Sequence, residues 1–144
     1  MEILSWAAIQ QGNPPLAEMV RCVVERRSKP YAPVTQFKVT AVVAVAQHPG
    51  VPEGTSLRFT GCNVENAMLV VAHAESAAIT RMVDDLGGSP RPVIDSVVLA
   101  LVAEGVRHAV PCGFCRQWLY EFGTEATRIY GVRLTADGEI RDVE

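Results

Sequence analysis

Two short motifs constrain this chain more than anything else in it: His73-Ala74-Glu75, and Pro111-Cys112-Gly113-Phe114-Cys115. Each lies where a helical pattern of apolar residues begins. One imidazole and two thiolates are three soft or borderline donors, a set that suits zinc. Three protein ligands leave a fourth position for water, the pattern of a catalytic zinc site, whereas a structural site is closed by four. Helix N-termini also point unpaired N–H dipoles at anionic thiolates and hydroxide. A fold that uses both motifs must therefore bring two helix starts to one place. The alternatives are a zinc knuckle or a chance pair of buried thiols.

Glu75 lies two residues after His73, close enough to reach water at such a centre. Zinc lowers the pKa of bound water to about 7, so hydroxide is available at neutral pH. A carboxylate beside it meets the need for a proton shuttle, which makes Glu75 the candidate catalytic residue. The four cysteines are Cys22, Cys62, Cys112 and Cys115. In a reducing compartment, cysteines at short spacing are more often metal ligands or catalytic groups than disulfide partners. Cys22 and Cys62 read as buried thiols, His48 as a solvated turn residue and His108 as an ordinary loop histidine. Arg116 and Gln117 either bridge subunits or support the thiolates.

The rest of the chain supplies the setting. At 144 residues it has the size of one domain, and residues 1–144 are read as a single unit. Hydrophobic residues make up 49% and charged residues 20%, as in ordinary globular proteins. The net charge of −3 argues against a nucleic-acid polymer as partner, because polyanion binding needs a basic face. No apolar run reaches the ~18 residues of a membrane span. The segment from Met1 to Gly12 lacks the basic start of a signal peptide, so a cytoplasmic location is expected.

Periodicity predicts an alternation of elements. Pro14 and Pro15 suit a first helical turn, and the apolar spacing from Leu16 predicts a helix to about Ser28. Lys29 to Pro33 is a loop. Val39–Ala46 and Leu57–Cys62 predict two strands of a hairpin, with a turn-rich connection from Pro49 to Gly54. Ala74–Leu86 predicts a helix, Asp95–Ala103 a buried strand, Cys112–Phe122 a helix and Arg128–Leu134 a strand. Ala136-Asp137-Gly138 turns the chain toward a weak last strand. Strands alternating with helices point to an α/β sheet covered on both faces, and the initial hairpin makes the sheet mixed.

A lone Cys-x-x-Cys or His-x-Glu says little. The two in this order, with Pro111 directly before the first cysteine, match the signature of zinc deaminases that act on nucleobases. Thr60 to Ala67 (TGCNVENA), Lys29 to Val39 (KPYAPVTQFKV) and Pro111 to Phe122 (PCGFCRQWLYEF) extend the match. Over roughly Ser28 to Val132 the chain resembles the cytidine deaminase family. The resemblance implies a three-layer α/β/α fold on a five-stranded mixed sheet, and a homotetramer. It implies hydrolytic deamination of a free aminopyrimidine nucleoside, cytidine or deoxycytidine, with zinc on His73, Cys112 and Cys115 and Glu75 as shuttle. It also implies that Asn63 and Glu65 hold the sugar hydroxyls, that Phe37 packs on the ring, and that the Ala74 and Cys112 backbones read the base edge.

The residues agree in part. An amide and a carboxylate two apart on an extended segment face one way and can grip a diol. The bland alternatives are turn capping for Asn63, a solvated carboxylate for Glu65 and plain core for Phe37. Ser76 stands where many family members with three cysteine ligands carry an arginine. With a neutral histidine as first ligand, the site needs less compensating charge. Met68 to Ala72 replaces a more aromatic and polar segment, Val34-Thr35 replaces Tyr-Ser, and a closing phenylalanine near the C-terminus has no counterpart. These departures leave open a modified nucleoside or related aminated heterocycle, as for blasticidin S deaminase. A nucleoside-binding protein without turnover is a further alternative, against which an intact Glu75 argues.

Overall fold

The computed structural model describes residues 3–68, 71–102 and 108–144. Two helices come first, α1 (Trp6–Gly12) and α2 (Pro14–Glu25). Five strands follow, β1 (Lys38–Val45), β2 (Leu57–Cys62), β3 (Ser96–Val102), β4 (Arg128–Leu134) and β5 (Ile140–Val143). Helix α3 (Ala74–Leu86) joins β2 to β3, and α4 (Gly113–Phe122) joins β3 to β4. The sheet has the order β2-β1-β3-β4-β5. Only β3 and β4 pair in parallel; the other neighbours are antiparallel. The expected mixed five-stranded sheet between two helical layers is therefore present.

The layers follow from the two-residue period of the strands. Val42 and Ala44 of β1 meet Leu16, Met19, Val20 and Val23 of α2 on one face. Val43 and Val45 meet Ala78, Ile79 and Met82 of α3 and Leu119 of α4 on the other. Residues 39–45 of β1 are therefore buried on both faces, which is why that strand reads as a continuous apolar run. Among the described residues, no helix is long and apolar enough to cross a membrane.

Two local differences from the sequence reading have physical causes. Helix α1 was not expected; the Ser5 side chain caps it by accepting from Ala8 N at 3.2 Å. A seven-residue helix with Ile9 as its one buried residue has too little apolar periodicity to show. Helix α2 ends at Glu25 rather than near Ser28, after its last fully buried residue, Val23. Its start is as read, with both prolines in the first turn and Asn13 Oδ1 accepting from Leu16 N. Of the expected strand from Asp95, Ala103 lies outside the described residues.

The topology decides where the site forms. Since β1 runs antiparallel to both β2 and β3, those two strands point the same way. Helices α3 and α4 therefore start at the same edge of the sheet, beyond the carboxyl ends of β2 and β3. That edge is where open α/β sheets place their ligands.

Candidate active site

His73 is the N-cap of α3 and Cys112 the N-cap of α4, both with extended backbone (φ −82°, ψ 148° and φ −69°, ψ 170°). Cys115 lies in the first turn of α4. His73 is set by a short ladder just before it, in which Val64 and Ala72 exchange backbone hydrogen bonds at 3.0 Å. The Ser76 hydroxyl donates to the His73 carbonyl at 3.1 Å. Ahead of Cys112, Arg116 Nε donates to the Pro111 carbonyl at 2.9 Å, so this arginine supports the turn that carries the thiol.

Two glycines let the backbone come close enough. A Cβ at Gly61 in β2 would lie 2.2 Å from the Ala74 carbonyl oxygen, and one at Gly131 in β4 would lie 1.8 Å from that of Ala109. The first contact seats the start of α3 on the sheet. The second seats the segment leading into Cys112. An isolated glycine in a strand pattern is the sequence signal for such an approach.

The outcome is a cluster in which the ligand atoms of His73, Cys112 and Cys115 lie within 4.8 Å of one another. His73 Nδ1 is 3.4 Å from Cys112 Sγ. Cys112 is exposed and Cys115 fully buried. Burial pushes the Cys115 thiol far above its ordinary range, and the charge of Glu75 and the neighbouring Cys112 push it the same way. A buried thiol crowded by a carboxylate and a second thiol is a place short of positive charge. A divalent cation at this donor set removes that penalty, and one nitrogen with two sulfurs suits zinc. Phe114, between the two cysteines, lays its ring against His73 with centroids 5.1 Å apart.

Glu75 is 4% exposed in the first turn of α3, where the helix dipole favours a carboxylate. Beside it opens a cavity of about 260 Å³ lined by Thr35, Phe37, Val39, Asn63, Glu65, Val71, His73, Ala74 and Glu75. Phe37, Asn63, Glu65 and Ala74, named from the sequence, thus meet His73 and Glu75 at one cavity. Cys112 stands at the cluster rather than on the cavity wall. Of Met68 to Ala72, Val71 lines the cavity and Met68 is 84% exposed, while Leu69 and Val70 lie outside the described residues.

Several bland readings are corrected. Glu65 is not solvated: it is 3% exposed, and its Oε2 accepts from Val34 N and Thr35 N at 3.0 and 3.2 Å. Its Oε1 accepts from the Thr35 hydroxyl. These bonds, the Thr35 hydroxyl first, hold its carboxyl below the ordinary range against the opposing effect of burial. The Asn63 amide donates to the Phe37 carbonyl and accepts from Val39 N, both at 2.8 Å, so it pins the entry to β1. Phe37 is 40% exposed and belongs to the cavity wall rather than the core. His48 accepts from Gly50 N at 3.0 Å and its other ring nitrogen contacts the Pro90 carbonyl at 3.1 Å, so it bridges two turns. His108 lies 3.2 Å from the buried Glu144 carboxylate. Cys22 and Cys62 are half-buried rather than buried.

A family model described as "Cytidine and deoxycytidylate deaminase zinc-binding region" matches residues 15–131. A cytidine deaminase of Mycoplasma pneumoniae is 35% identical over 101 residues, 69% of this chain and 66% of that protein. The match thus spans just under two thirds of that relative's length. A cytidine deaminase of Sporosarcina psychrophila is 31% identical over 114 residues, 78% of this chain and 74% of that one. The fold is shared with the crystal structure of cytidine deaminase from Mycobacterium tuberculosis, at TM-score 0.62 and 23% identity over 80% of this chain and 83% of that one. Matched over most of its length by one family, and carrying the donor set that a zinc site needs, the chain belongs to the cytidine and deoxycytidylate deaminase family and is a zinc-dependent hydrolytic deaminase.

Proposed function

We propose that this protein removes the ring amino group of a free aminopyrimidine nucleoside, cytidine or 2′-deoxycytidine, giving uridine or 2′-deoxyuridine and ammonia. The observation that carries the reading is the cavity in which Phe37, Asn63 and Glu65 face His73, Ala74 and Glu75. His73, Cys112 and Cys115 would hold zinc through one nitrogen and two sulfurs. Zinc, when bound, supplies the Lewis acidity that makes water a competent nucleophile near neutral pH. Glu75 takes a proton from the attacking water and passes it to the adjacent ring nitrogen, then moves the remaining hydroxyl proton to the leaving amino nitrogen. The water oxygen bonds to the ring carbon bearing the amino group, the carbon–nitrogen bond breaks, and the nitrogen departs as ammonia. Phe37 packs against the ring, and the Ala74 and Cys112 backbones read its edge. Asn63 and Glu65 hold sugar hydroxyls with the hydrogen-bonding capacity that their structural bonds leave over.

The cavity lining, among the described residues, contains no lysine or arginine, and Glu65 favours its anionic form. Such a wall accepts hydroxyl donors and repels phosphate, which supports a free nucleoside over a nucleotide or polymer. We read residues 1–144 as one deaminase domain of the cytoplasm. We also propose a homotetramer, supported by the exposure of Tyr31 (60%), Met68 (84%), Phe114 (55%) and Tyr120 (83%). Light scattering should give about four times the 15.6 kDa chain mass.

Ammonia release from cytidine, 2′-deoxycytidine, cytosine and 2′-deoxycytidylate tests the substrate. The two nucleosides should be used far better than the base or the nucleotide. Equal use of cytosine would remove the sugar roles of Asn63 and Glu65. Preference for the nucleotide would overturn the nucleoside assignment, and no release from any of the four would overturn the reaction.

A further inference from the structure

Thr35 lies outside both motifs and shares the cavity with His73, Ala74 and Glu75. Its hydroxyl donates to Glu65 Oε1, and its oxygen accepts from Phe37 N at 3.0 Å. Its own backbone N–H and that of Val34 donate to Glu65 Oε2. One residue thus ties the buried carboxylate to the aromatic side of the cavity, and it lines that cavity itself. The next residue, Gln36, has φ +58°, a left-handed conformation that a non-glycine residue adopts only under local constraint.

The proton count is informative. A hydroxyl has one proton, and that of Thr35 is committed to Glu65. A carboxylate offers about four lone-pair positions, of which these three bonds occupy three. Thr35 Oγ1 and Glu65 Oε1 therefore each keep a lone pair and offer no proton, and both residues line the cavity. They are adjacent, since one donates to the other.

We propose that Thr35 is a positioning and specificity-determining residue of the nucleoside cavity, holding Glu65 in place and forming with it an acceptor pair for the sugar hydroxyls. The inference rests on the nucleoside reading above. Thr35→Val keeps the shape and removes the hydroxyl, whereas Thr35→Ser restores it.

The test compares KM and kcat of the wild type and both variants for cytidine and 2′,3′-dideoxycytidine. A carboxyl-carbon NMR titration of Glu65 accompanies it. Thr35→Val should raise the KM for cytidine about tenfold to a hundredfold, as for loss of a charge-assisted hydrogen bond, with kcat within about threefold. Its KM for 2′,3′-dideoxycytidine should barely change, because that sugar lacks the hydroxyls the pair accepts. Thr35→Ser should behave as wild type in both. The Glu65 carboxyl should titrate at higher pH in Thr35→Val only.

An unchanged KM for cytidine in Thr35→Val overturns the proposal. So does an equal rise for both substrates, which marks a merely structural role, or a failure of Thr35→Ser to restore binding. A wild type that releases no ammonia from cytidine instead removes the nucleoside reading. The Glu65 titration then decides on Thr35 alone, and an unshifted Glu65 in Thr35→Val overturns its positioning role.

Discussion

Gly131→Ala should damage this protein through its site as well as through its stability. The added Cβ would lie 1.8 Å from the Ala109 carbonyl oxygen and 2.7 Å from the Ala109 Cβ, where real Cβ atoms essentially never come within 3.0 Å. The obstacle is backbone of a residue only 2% exposed, so no flexible side chain can swing aside. Either β4 or the segment leading to Cys112 must shift by roughly 1 Å, and a misplacement of that size can cost an active site about a hundredfold in rate. Overpacking itself costs ~1–3 kcal/mol, and at roughly 4 °C per kcal/mol the midpoint of thermal unfolding falls by about 4–12 °C. Gly88→Ala is the matched control, since a Cβ there meets nothing within 4 Å. It should stay within about 0.5 kcal/mol of wild type. Thermal unfolding, zinc content and kcat/KM for cytidine should be measured on the three proteins. If Gly131→Ala matched Gly88→Ala in all three, the close approach of β4 to Ala109 would not be what seats Cys112, and the argument would be wrong.

Chelation should remove about one zinc per chain and lower the unfolding midpoint, and Cys112→Ala or Cys115→Ala should bind little zinc; full activity of metal-free wild type would end the zinc assignment. Glu75→Gln should keep its zinc and lose ~10²–10⁴-fold in kcat, and undiminished turnover at wild-type zinc content would take Glu75 out of the mechanism. Glu65 has a depressed carboxyl pKa in the folded chain, so its ionised form stabilises the fold above its ordinary value of about 4.5, and that contribution is lost as pH falls through the folded value. Unfolding midpoints of wild type and Glu65→Gln should therefore differ at neutral pH and converge only once the pH has fallen below the depressed folded value; a gap that persists in strong acid would show that the Glu65 network is not held by charge.

Much of the secondary structure was legible because its periods are long and clean. Leu57–Cys62, Ala74–Leu86 and Arg128–Leu134 are found with the bounds their apolar spacing implies. Helix α1 was not legible, since its one buried residue sets no period. The zinc cluster was legible for a different reason: His, Cys and Cys at two helix starts form a donor set with few other uses. Thr35 was not, because a threonine in a loop has no chemistry of its own until Glu65 is placed against it. The burial of Glu65 was not legible either, since a sequence does not show that a loop 30 residues earlier in the chain folds over it.

By itself, the sequence determined which groups could do the chemistry: an imidazole and two thiolates for a metal, and a carboxylate two residues from the imidazole. These are properties of residue type and short spacing, and no fold can supply them where they are missing. The tertiary structure decided their convergence. Helices α3 and α4 start at one edge because β2 and β3 point the same way on either side of β1, and Gly61 and Gly131 let both starts settle on the sheet. Strand order and close backbone approach are long-range outcomes of packing. No local pattern encodes them, and so it was the structure that turned two motifs into one site.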